Sequence, residues 1–80
     1  MKVERAITKL EKYGWTVKEN TNYPQYTAEK TGEDVISFDT QGGQICGIKV
    51  RPKEDYNEPT SDYFSGEAVD NIDKALKIAR

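Results

Sequence analysis

The chain carries two stripes of apolar residues at helical spacing, one near each end, with runs of period-two alternation between them. Val3, Ala6, Ile7, Leu10 and Tyr13 form the first stripe, with Lys2, Glu4, Arg5, Lys9, Glu11 and Lys12 turned away from it. Ala68, Val69, Ile72, Ala75, Leu76 and Ala79 form the second. Each stripe needs an apolar surface to cover. In a chain of 80 residues the shared solution is one sheet with both helices on the same face.

The strands are read from the intervening alternation. Gly14 ends the first helix, and Trp15 and Val17 alternate with Thr16 and Lys18 as the first strand. Asn20 to Pro24 is a polar connection, because Pro24 cannot continue a hydrogen-bonded ladder. The runs from Tyr26 to Lys30 and from Asp34 to Asp39 flank the short loop Thr31-Gly32-Glu33, and Gln41-Gly42-Gly43 separates the second run from Gln44 to Arg51. Two successive hairpins make a meander. The expectation is a single α+β domain over residues 1–80: helix, three- to four-stranded antiparallel meander, helix, both helices on one sheet face.

Finer expectations follow from the same pattern. On the last strand, Cys46, Ile48 and Val50 share one face, and Ile45, Gly47, Lys49 and Arg51 the other. The sheet face away from the helices stays wet and carries Val35, Ser37, Lys49, Arg51, Thr27 and Glu29. Ser65 or Asp70 caps the closing helix, near whose end Lys74, Lys77 and Arg80 gather. The expected core holds Leu10, Trp15, Ile36 or Val35, Phe38, Ile48, Val50, Ile72 and Leu76.

Composition limits the chemistry. Apolar residues at 35% and aromatics at 10% support a folded core, although 32% of the chain is charged. With no histidine and one cysteine, Cys46, neither a Cys-His nucleophile, a thiolate-imidazole metal site nor an intramolecular disulfide can be built. The oxygen-ligand calcium loop Asp-x-Asp-x-Asp-Gly with a distal Glu is missing. No metal, no cofactor and no catalytic residue is expected, and the chain is read as a non-enzyme. Met1 to Arg5 lacks the apolar run of a signal peptide, and no run is long enough to span a bilayer, so a cytoplasmic location without membrane contact is expected.

Pro52 closes the last strand, and residues 52–61 form the one long stretch without periodicity. With Asp62-Tyr63-Phe64-Ser65-Gly66 they combine rings with clustered carboxylates, a combination that can anchor a partner's basic or apolar side chain. Tyr56, Asp62 and Tyr63 are the candidate partner contacts. In the structural alternative, Phe64 plugs the core while Asp62 and Ser65 satisfy backbone donors. The rings Tyr13, Trp15, Tyr23 and Tyr26 could form a base-stacking platform, but Trp15 on the apolar side of its strand reads as core.

The run Ile48-Lys49-Val50-Arg51, then Asp62-Tyr63-Phe64-Ser65-Gly66, Asp70-Asn71 and Ala75-Leu76-Lys77-Ile78-Ala79, resembles the small domains associated with large polyvalent proteins of bacteriophages and conjugative elements. The resemblance covers roughly residues 33–80. It implies an accessory or counter-defence role for mobile DNA and transfers no catalytic residue.

Three classes of function remain, the third of them a minor enzyme using paired carboxylates. The first is a protein-interaction module that binds a host or element-encoded protein through the 52–66 segment, as a monomer or weak dimer. The second is a nucleic-acid-binding accessory protein using Lys49 and Arg51 on the open sheet face. A formal charge of −2 gives no general drive toward phosphate backbones. Double-stranded RNA-binding domains share the element order, but there the last helix must begin with basic residues, whereas Glu67 to Asp73 is acidic.

Overall fold

A computed structural model describes residues 1–32, 34–51 and 67–79. Tyr56, Asp62 and Tyr63, and with them Phe64 and Ser65, lie outside the described residues. The first helix, α1, spans Val3–Lys12, and its buried side is Ala6 and Leu10. Its entry is fixed by backbone: the Val3 N–H donates to Gly43 O at 3.1 Å and the Ile45 N–H to Met1 O at 2.9 Å. These bonds tie the chain start to the far end of the sheet.

The exit of α1 is a Schellman motif. The Gly14 N–H donates to Glu11 O at 3.0 Å and the Trp15 N–H to Leu10 O at 3.0 Å. Gly14 holds a φ of 91°, which a residue with a Cβ resists. The same turn brings Trp15 into the core beside Leu10. Tyr13 departs from its expected place on the apolar stripe: as the C-cap it sits at the edge of that stripe and is 52% exposed.

Five strands follow in consecutive order, β1 (Thr16–Glu19), β2 (Tyr26–Glu29), β3 (Val35–Gln41), β4 (Gln44–Arg51) and β5 (Glu67–Ala68). All neighbouring pairs are antiparallel. The sequence pattern assigns Ala68 and Val69 to the closing helix, and the structure instead gives Glu67–Ala68 to the edge of the sheet, with the Val69 N–H donating to Ile48 O at 3.0 Å. The second helix, α2, spans Ile72–Ile78. Its cap is Asn71, whose Oδ1 accepts the Lys74 N–H at 2.9 Å. Asp70, an expected cap, pairs with the Lys74 ammonium at 3.0 Å instead.

Both helices pack on one sheet face. Ala6 and Leu10 of α1 and Ile72 and Ala75 of α2 share one cluster with Trp15, Ala28, Ile36, Phe38, Ile48 and Val50. Burying one such aliphatic side chain stabilises the fold by roughly 1.5–3 kcal/mol. Leu76, expected among these, is half-buried against the cluster. Tyr26 and Phe38 stack across β2 and β3 with ring centroids 5.2 Å apart.

The face assignment on β4 is corrected by a bulge. Ser37 pairs with Lys49 but Asp39 pairs with Cys46, so Phe38 faces both Gly47 and Ile48. Gly47 accommodates the extra residue with a φ of 57°. The inserted residue shifts parity: Ile45 packs against the core with Ile48 and Val50, and Cys46 moves to the opposite side with Asp39.

The expectation of a wet second face is also corrected. Thr27, Val35, Ser37 and Arg51 lie on that face by register, as expected, but each is buried, Val35 at 0% and Arg51 at 3% exposure. From Val35 to Asp39, β3 is buried at every residue, so both sheet faces are covered there. Small polar side chains such as Thr27 and Ser37 suit either environment, and alternation alone does not tell them apart.

Candidate functional site

One groove among the described residues forms where α1 ends, where β2 ends and along α2. Schellman closure leaves the Tyr13 ring outside the core while it draws Trp15 in. The register Thr16↔Glu29 then sets Lys30, the residue after β2, beside Trp15. Lys30 lies close over the turn, its Cε 3.5 Å from where a Cβ on Gly14 would stand. On α2, Asp73 and Lys77 are four residues apart and so share a face with Leu76 alongside. Together with Ala79 these residues line a groove of about 660 Å³.

The groove has an apolar side and a charged rim. Trp15 is 5% exposed, and Leu76 and Ala79 are half-buried. Lys30 and Lys77 are exposed and, among the described residues, enter no ion pair. Asp73 is bound to the Lys9 ammonium of α1, an ion pair that joins the two helices along the groove's edge. A second depression of about 550 Å³ continues from Tyr13 along the outside of α1 between Glu4, Arg5, Thr8, Lys9 and Lys12. Arg5, Lys9 and Lys12 recur at intervals of four and three, a cationic stripe next to the apolar one.

The residues singled out from sequence stand elsewhere. Lys49 and Arg51 lie on the second sheet face, Lys49 half-buried and Arg51 buried, each with interactions of its own. A buried guanidinium is not presented to a phosphate backbone. Tyr56, Asp62 and Tyr63 lie outside the described residues. The structure instead brings together Tyr13, Lys30, Asp73 and Lys77; sequence reading placed Tyr13 on the apolar stripe and among the rings of a stacking platform and did not join it to the others, because they sit on three separate elements. One signal was legible, the Arg5, Lys9 and Lys12 spacing on α1.

A polar clamp also escaped the sequence reading. The Gln25 N–H donates to Asp39 Oδ1 at 2.8 Å, and Gln25 Oε1 accepts from both the Thr40 N–H, at 2.7 Å, and the Thr40 hydroxyl, at 2.8 Å. The Asn20 N–H donates to Gln25 O at 2.7 Å and Asn20 Nδ2 to Pro24 O at 2.8 Å. These bonds fix the β1–β2 connection on β3, a structural task that keeps Asp39 out of solvent.

Chemically the groove offers an apolar wall, a phenol and ammonium groups, which suits recognition. Among the described residues no three His, Cys, Asp or Glu side chains converge as metal ligands, and no helix is long and apolar enough to cross a membrane. No protein-family model matches the chain, and neither a curated protein nor a solved structure is detectably similar to it.

Proposed function

We propose that this chain is a non-enzymatic protein-interaction module, and that the groove between α1, β2 and α2 is part of its working surface. The observation that carries the reading is the exposed Tyr13 ring beside an apolar wall, rimmed by lysines without ion-pair partners among the described residues. Large rings next to partly covered apolar area are where interface energy concentrates. The resemblance of residues 33–80 to phage and mobile-element domains supports a setting in a bacterial cytoplasm and an accessory or counter-defence role. Tyr56, Asp62 and Tyr63, read from the sequence as partner contacts, are proposed as a second set of contacts.

A photoreactive benzoylphenylalanine at position 13, with a second chain labelled at the exposed Tyr23 as control, tests the reading in bacterial lysate. The expected result is a discrete set of protein adducts from position 13, suppressed by excess unlabelled parent chain and not produced from position 23. Adducts dominated by nucleic acid, or the same adducts from both positions, would overturn it. The Tyr56, Asp62 and Tyr63 triple alanine variant should lose capture of the same partner while melting within a few degrees of the parent. Unchanged capture would remove those three residues from the surface.

A further inference from the structure

We infer that the groove takes an acidic peptide segment in which one large apolar side chain is flanked by carboxylates. This rests on the interaction reading above and adds the chemical class of the partner. The apolar anchor follows from the half-buried Leu76 and Ala79, with only the margin of the buried Trp15 reaching the groove and the Tyr13 ring at its edge. A flanking carboxylate follows from charge. Lys30 and Lys77 stand on the rim, exposed and without an ion-pair partner among the described residues. They belong to different elements, so an extended segment whose apolar residue fills the groove meets a cation from β2's end and another from α2.

The structure already contains one example of the pairing. Asp73 reaches the Lys9 ammonium across the α1–α2 seam although its own side chain is 63% exposed. An incoming carboxylate would find Lys12 and Arg5 continuing the same stripe beyond Tyr13. A nucleic-acid strand fits less well. Its bases could stack on Tyr13, but Asp73 on the rim and Glu4 beside Arg5 repel a continuous row of phosphates, while a peptide can space its carboxylates around them.

Fluorescence anisotropy with the intact chain provides the test. The probes are a labelled peptide with one Phe between Glu and Asp residues, the same peptide with Phe replaced by Ser, the same peptide with its acids replaced by Gln and Asn, and an oligodeoxythymidine of similar length. Saturable binding is expected for the first alone, weakening severalfold as salt rises from about 0.05 to 0.5 M because the rim pairs are screened. The variant Lys30→Glu with Lys77→Glu should lose about tenfold in affinity, as expected for reversing two partly exposed charges. Thermal melting of that variant confirms that it is folded, and Tyr13→Ser, at an exposed position, provides a second variant with little expected effect on folding.

Equal binding of the uncharged peptide, preference for the oligonucleotide, or no binding by the acidic peptide would overturn the inference. Its failure is distinguishable from failure of the broader reading: protein adducts from position 13 without acidic-peptide binding leave an interaction module with a different partner chemistry. Absence of both outcomes removes the groove as a contact surface.

Discussion

At the scale of single residues, the structure turns on a few positions where one side chain, or its absence, decides the local geometry. Gly14 holds a left-handed φ and closes α1 through two backbone bonds. Gly14→Ala should therefore destabilise the chain by about 1–2 kcal/mol, the strain of placing a Cβ in that region, read as a lower urea midpoint. Asn71→Ala removes the side-chain oxygen that accepts the Lys74 N–H at the start of α2 and should cost about 1 kcal/mol by the same measurement. Ile72→Ala, at a fully buried position, should cost on the order of 2–5 kcal/mol, and Leu76→Ala distinctly less because Leu76 is half-buried. Equal losses at the two positions would contradict the placement of α2. Ile72 and Leu76 share one helical stripe and look alike in sequence; only the helix's rotation against the sheet separates them.

Among the elements, β4 departs most from its pattern. Read as a plain alternating strand it sends Cys46 inward with Ile48, whereas the bulge opposite Phe38 sends Ile45 inward. Gly47→Val puts a β-branched side chain at a φ of 57°, disfavours the bulge while keeping the extra residue, and forces a choice: keep Ile48 and Val50 inside and expose Ile45, or slip the hairpin register. Either route should lower stability, and faster amide exchange should appear in residues 44–46 before 49–51, because the former three lie beyond the bulge. Slower or unchanged exchange at 44–46 would mean that the bulge does not set the register. The element order and the two hairpins were legible because their turns carry glycine between apolar runs. The two-residue β5 was not: Glu67–Ala68 has no pattern of its own and becomes a strand because β4 offers it an open edge.

For the whole molecule, α1 and α2 meet through shared coverage of the sheet and through the Lys9–Asp73 ion pair. Both charged groups are partly exposed, so a double-mutant cycle between Lys9→Ala and Asp73→Ala should return a coupling of about 0.2–1 kcal/mol, falling with added salt. A coupling well above that range would assign the pair a principal role in holding the helices together. The apolar cluster should instead carry the docking of the two helices. The groove shares that origin, since its wall is the margin of the core cluster and its rim is the side chains that the core excludes. Sequence reading placed recognition in the aperiodic 52–66 segment, where rings and carboxylates are neighbours along the chain. It did not join Tyr13, read as part of the α1 stripe, to Lys30 and Lys77, which each alone look like ordinary surface residues.

The sequence by itself determined the class of this protein. Helical spacing at both ends and alternation between them point to an α+β fold, in which one sheet face can cover both stripes. The absence of histidine and the single cysteine set which side-chain chemistries are open to it. Tertiary structure decided what depends on relative position: the inward turn of Ile45, the burial of Val35, Ser37 and Arg51 on the second face, and the meeting of Tyr13, Lys30 and Lys77 around one groove. Periodicity reports which side of its own element a residue occupies. Burial and proximity depend on what the rest of the chain brings to that side, and this is fixed only when register, bulge and helix rotation are set together.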